Sequence, residues 1–155
     1  MAAARHPRLY LEHGVPDTLD GRYEMIILHA VLVLDRLKAL GEAGELLARS
    51  VSEHLFADMD RSLRELGVGD LSVGKKVRRM AEVFYGRAGA YRQAFEGKRR
   101  DLLIAALARN VFPGEAAPPG AERLADYAFL NCDRLDEARV EDLLAGRIDF
   151  EEPPP

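Results

Sequence analysis

Met25-Ile-Ile-Leu-His-Ala-Val-Leu-Val-Leu34 is a run of ten residues broken only by His29. At helical spacing such a run is apolar on every side, which predicts a helix enclosed by other helices. It is too short to cross a bilayer, which takes about 20 residues. Asp17, Thr18 and Asp20 offer N-caps before it, and Gly41 offers a stop after it. A first helix is therefore expected from Asp20 or Gly21 to about Leu40.

Working outward, Leu47, Val51, Leu55, Met59, Leu63 and Leu66 recur at spacings of four and three, predicting a second helix from Ala43 to Leu66. Gly67-Val-Gly-Asp70 then reads as a turn. Ser72 can cap a third helix whose apolar stripe is Val73, Val77, Met80, Phe84, Ala88, Tyr91 and Phe95. Gly86 and Gly89 interrupt it, so a kink is expected there, and Gly74 is a poor residue for its start. Further helices are expected over Lys98–Asn110, Glu122–Asp133 and Glu137–Ala145, with Pro113 to Gly120 as a linker. No alternating β-pattern or internal repeat is present. The expectation is an all-α single domain of five to six helices over residues 5–150, with a disordered Pro-rich tail over 151–155.

The 155 residues, 48% apolar and 31% charged, suit one globular domain. A domain of this size buries about 70% of its unfolded surface, enough for one core without staples. A single cysteine, Cys132, excludes an internal disulfide and a Cys-built zinc site. The first 24 residues lack an apolar stretch, so no signal peptide is expected. These features predict a cytoplasmic protein.

Little in the chain asks for catalysis. Gly69-Asp-Leu-Ser-Val-Gly-Lys-Lys76 is one residue short of a phosphate-binding loop, has Lys76 where Ser or Thr should hold Mg²⁺, and follows a helix instead of a strand. His29, between apolar neighbours, reads as a hydrogen-bonded core histidine. His54 and Asp58 share a helical face, but two ligands do not make a metal site. Cys132 stands beside Asp133, which opposes thiolate formation. No cofactor, metal ligand set or catalytic group is expected.

Charge is unevenly distributed. Residues 1–71 hold 8 basic and 12 acidic side chains, residues 72–114 hold 10 and 3, and residues 115–155 hold 4 and 11. Lys75, Lys76, Arg78 and Arg79 lie opposite the apolar stripe of the third helix, and Arg87, Arg92, Lys98, Arg99 and Arg100 continue the charge. Such a stretch is either a solvated face or a docking surface for anionic membrane or ribosomal RNA. Phe84, Tyr85 and Tyr91 are interleaved with it. Nothing points to DNA.

Two stretches carry a resemblance. Arg5-His-Pro-Arg-Leu-Tyr10, Gly14-Val-Pro16-Asp17 and Gly21-Arg22-Tyr-Glu-Met25 form the first. Met59-Asp60, Leu63-Arg-Glu-Leu-Gly67-Val-Gly69-Asp70, Lys75-Lys76 and Phe84-Tyr85-Gly86-Arg87-x-x-x-Tyr91 form the second. Together, over about Arg5 to Phe112, they resemble the ubiquinol–cytochrome c chaperone family. The resemblance implies an all-helical assembly chaperone for respiratory complex III, not an enzyme. Its mitochondrial members bind newly made cytochrome b and work near the ribosomal tunnel exit. The partners so implied are cytochrome b or its nascent chain, the ribosome and an anionic membrane surface at the cytoplasmic face of the inner membrane. An apolar groove from the first three predicted helices would hold the client. The targeting region of mitochondrial members is missing, which favours a bacterial-type form. The competing expectation is a helical adaptor that docks on membrane or RNA with no respiratory client.

Overall fold

The apolar run does form an enclosed helix. In the computed structural model, which describes residues 2–115 and 118–154, it is the middle of α2 (Leu19–Lys38). Its Met25, Ile27, Leu28, Val31 and Leu32 side chains are all buried. A 3₁₀ turn (Ala3–Arg5) and a short α1 (Pro7–Leu11) precede it. After it come α3 (Glu42–Glu65), α4 (Asp70–Glu96), α5 (Arg100–Val111), α6 (Pro119–Glu137) and α7 (Val140–Leu144). The described residues contain no strand, so the fold is all-α as expected. α2 packs against α3, α4 and α6, and α5 spans from α4 to α6. One core cluster runs through these helices.

Several boundaries differ from the expectation, each for a physical reason. α4 continues without a break through Gly86 and Gly89. Both glycines face solvent there, while Phe84, Ala88 and Tyr91 are buried on the other side, so packing overrides the weak helix propensity of glycine. α6 starts three residues early because Pro119 occupies its first turn, where proline needs no N–H partner. α1 was absent from the sequence reading; it is five residues long and is held by tertiary contacts.

The α3–α4 turn is also more specific than expected. Val68 N–H donates to the Leu63 carbonyl at 3.1 Å and Gly67 N–H donates to that of Arg64 at 2.9 Å. This pair of bonds closes a helix end only when the residue between is left-handed, and Gly67 has φ +81°. Gly69 has φ −62° and is the N-cap of α4, so it supplies no left-handed turn. Ser72 does not cap α4, because the helix already begins at Asp70.

The Pro-rich end has no helix or strand over residues 151–154, and parts of its backbone reach the helices. Glu151 N–H donates to Asn131 Oδ1 at 2.8 Å, and Arg8 donates to the Pro153 carbonyl at 3.2 Å. His13 Nε2 donates to the Pro154 carbonyl at 2.9 Å. Asn131 and His13 are buried, so these contacts satisfy polar groups cut off from water. Prolines have little chain entropy to lose on being held this way. Pro155 lies outside the described residues. No helix among the described residues is long and apolar enough to cross a membrane.

Candidate functional site

The first motif builds the entrance to α2. Thr18 caps the helix by accepting the Gly21 N–H at 3.1 Å. Arg22 donates to Asp17 at 2.7 Å, holding that carboxyl below the usual range, and its guanidinium sits 5.8 Å from the centre of the Tyr10 ring. The Tyr10 hydroxyl donates to the Ala4 carbonyl at 2.7 Å. Gly21 is required by close approach, since a Cβ there would stand 2.0 Å from the Pro16 carbonyl oxygen. Tyr10, Pro16, Asp17, Gly21 and Arg22 thus lock the chain's first turns onto α2.

His29 is the core histidine that its neighbours predicted. Its Nδ1–H donates to the Met25 carbonyl at 2.7 Å, so its Nε2 accepts from the Tyr127 hydroxyl at 2.8 Å. Burial pushes its pKa down to about 4 and keeps the ring neutral. Cys132 is half-buried, and burial, followed by the charges of Asp136 and Asp133, pushes its thiol up to about 11. His54 bonds to the Ser50 carbonyl of its own helix, and Asp58 pairs with Arg61. Among the described residues, no three His, Cys, Asp or Glu side chains converge as a metal site.

α4 divides the predicted partner surface into two. In its second half, Phe84 and Tyr91 are buried in the core and cannot touch a partner, because their spacing matches the packed face and not the solvent face. Arg87 donates to Glu24 of α2 at 3.1 Å, and Arg92 to Asp35 of α2 at 2.7 Å. Glu24 is buried, and desolvation raises its pKa against the opposing pull of Arg87. Arg99 pairs with Asp101, and Arg100 with Asp126 of α6. Arg87 and Arg92 are thereby committed to the packing of α4 on α2.

The first half of α4 differs. Lys75, Lys76, Arg78 and Arg79 are exposed, and among the described residues none has an acidic partner within salt-bridge distance. The turn beside them is braced by Arg64, which donates to Asp60 at 2.6 Å and also pairs with Asp70. Leu63 is half-buried behind this brace. Leu66 and Leu71 flank the turn at 67% and 101% exposure. Tyr85 is also exposed, 6.1 Å from the ring of Phe56. The leucines escaped the sequence reading, although Leu71 falls off the Val73/Val77/Met80 stripe and that offset was visible.

Core side chains pack between α2, α3 and α4, the helices expected to supply a groove. An open recess of about 440 Å³ lies instead between α2, α4 and α6. Leu32, Phe95, Cys132 and Leu135 give it apolar walls, and Lys38 and Asp136 stand among the charges around them.

The family model described as ubiquinol-cytochrome C chaperone matches residues 11–150. The chain is 29% identical over 132 residues to ubiquinol-cytochrome-c reductase complex assembly factor 1 of Xenopus laevis, covering 84% of this chain and 66% of that protein. It is 27% identical over 136 residues to the assembly factor 1 proteins of Mus musculus and Homo sapiens. Those matches cover 87% of this chain but only 46% and 45% of the mouse and human proteins, so the chain spans less than half of their length. The crystal structure of a Cbp3 homolog from Brucella abortus is 43% identical, with a TM-score of 0.89 over 97% of this chain and 83% of that one.

Proposed function

The chain belongs to the ubiquinol–cytochrome c chaperone family, and from that premise we propose that it binds newly made cytochrome b. It holds that subunit for assembly into ubiquinol–cytochrome c reductase, respiratory complex III, without a catalytic step of its own. The family match over residues 11–150 carries the reading. The recess between α2, α4 and α6 is the proposed seat for a client segment, because apolar walls with charged surroundings suit a hydrophobic helix with polar flanks. Capture takes place at the cytoplasmic face of the membrane, as the client leaves the ribosome.

The test is deletion of the gene in the native host, scored by cytochrome b absorbance and restored by the wild-type gene. Selective loss of cytochrome b is expected, and unchanged cytochrome b overturns the function. A photocrosslinker on Lys38→Cys, in a Cys132→Ser background, tests the seat. It should join the chain to cytochrome b; restored assembly without that adduct removes the recess from the account.

A further inference from the structure

The tip of the α3–α4 hairpin combines two features that a soluble surface does not need together. Leu71 is fully exposed and Leu66 about two-thirds exposed, on either side of the turn. Lys75, Lys76, Arg78 and Arg79 follow within the first three turns of α4 and have no acidic partner among the described residues. At 100° per residue, the four cations spread over about half of the α4 circumference, with Leu71 inside their arc and the buried Val73 on the opposite side. Residues 64–80 hold five basic and two acidic side chains in a chain of net charge −4. One of those acids, Asp70, is already paired with Arg64.

The tip also stands clear of the body. The Tyr23 hydroxyl bonds to the Met80 carbonyl and Arg92 to Asp35, with partners 57 positions apart in both cases. α2 and α4 therefore run side by side, and Leu19, the first residue of α2, is level with Lys76. Residues 70–75 extend past it by about 9 Å, before the turn is counted. Leu71 and Lys75 lie in that extension, and Lys76, Arg78 and Arg79 stand beside the first turn of α2.

We infer that this hairpin tip is a membrane-docking element, in which Leu66 and Leu71 enter the acyl boundary of an anionic phospholipid bilayer while Lys75, Lys76, Arg78 and Arg79 bind its phosphates. Exposed leucines decide for lipid over RNA: aliphatic side chains gain nothing from a phosphate backbone but gain transfer energy in a bilayer. Glu82, exposed farther along α4, sets the limit of the contact. The inference does not depend on the client, since it concerns lipid alone.

The test is co-sedimentation of the purified full chain with vesicles of phosphatidylcholine, alone or mixed equally with phosphatidylglycerol. Binding is expected on the mixed vesicles only, and weaker at high salt. Charge reversal of Lys75, Lys76, Arg78 and Arg79 to Glu should lower it at least tenfold, from about 1 kcal/mol per cation. Leu66→Ser with Leu71→Ser should lower it on the order of tenfold or more. All six residues are exposed, so the variants should keep the wild-type helical circular dichroism spectrum. A polarity-sensitive dye on Leu71→Cys, in a Cys132→Ser background, should shift to the blue on mixed vesicles. Failure of the wild type to sediment, binding unchanged in both variants, or an unshifted dye overturns the inference. Binding to single-stranded RNA without binding to vesicles also overturns it and reassigns the tip to nucleic acid.

Discussion

Between Phe84 and Glu96, the arginines of α4 end on carboxylates of α2; between Asp70 and Val83, its cations end in solvent. In the sequence the two halves look like one basic stretch with aromatic residues interleaved. They are separated by what the neighbouring helix offers. Glu24 and Asp35 lie alongside Arg87 and Arg92, whereas α2 has barely begun where Lys75 to Arg79 pass. A charge run is therefore two different objects according to whether a partner helix runs beside it. The root half is a structural seam and the tip half is a free surface.

The sharpest way to break this comparison is to cut the root. Phe84→Ala removes a fully enclosed ring and should cost about 3–5 kcal/mol in urea denaturation, while the tip charge reversal should cost less than about 1 kcal/mol. Equal losses would dissolve the distinction. Acid is the next largest effect. The His29 pKa, about 4 in the fold against an ordinary 6.5, means that the unfolded chain takes up the proton first. The stability tied to His29 is complete above pH 6.5 and falls toward pH 4 by on the order of 3 kcal/mol. Denaturation at several pH values should show this loss, and His29→Gln should flatten it in that window.

Arg87→Ala tests the seam itself. It leaves Glu24 buried without its guanidinium and should cost about 2–3 kcal/mol, because an unpaired buried carboxylate is penalised more than the pair is favourable. Glu24→Gln in the same chain should recover part of that loss. Removing a tip cation such as Lys76 should change stability by less than about 0.5 kcal/mol. Gly86→Ala should act in the opposite direction. A Cβ there meets nothing within 4 Å, and α4 is continuous through the site, so a gain of about 0.5–1 kcal/mol in thermal unfolding is expected. A loss would mean that the kink read from the sequence forms in solution.

What could be read from the sequence follows the range of the interactions. α2, α3 and α4 were legible because hydrophobic spacing is local, and His29 was legible because its neighbours are apolar. α1 was not, since five residues have no period and depend on contacts such as Arg8 to Pro153. The Arg87–Glu24 pair joins residues 63 positions apart, which no local pattern announces. For the same reason Arg87, Phe84 and Tyr91 were grouped with the exposed cations, although the fold pairs Arg87 with Glu24 and buries the two rings. The recess was misplaced because it depends on how α6 returns beside α2 and α4. The motif residues Tyr10, Gly21 and Asp60 were recognisable as a pattern, but their roles as stacking, close-approach and turn-bracing groups needed the three-dimensional arrangement.

The central claim is that this chain holds cytochrome b. It is tested most directly by affinity capture of the tagged full chain from detergent-solubilised cells, with the co-purifying proteins identified by mass spectrometry. The account predicts cytochrome b in the captured fraction, still present when the detergent has removed lipid and when the Lys75/Lys76/Arg78/Arg79 charge reversal is used, because client seat and membrane tip are separate surfaces. Recovery of ribosomal proteins or lipid without cytochrome b would contradict it and leave a helical adaptor in its place.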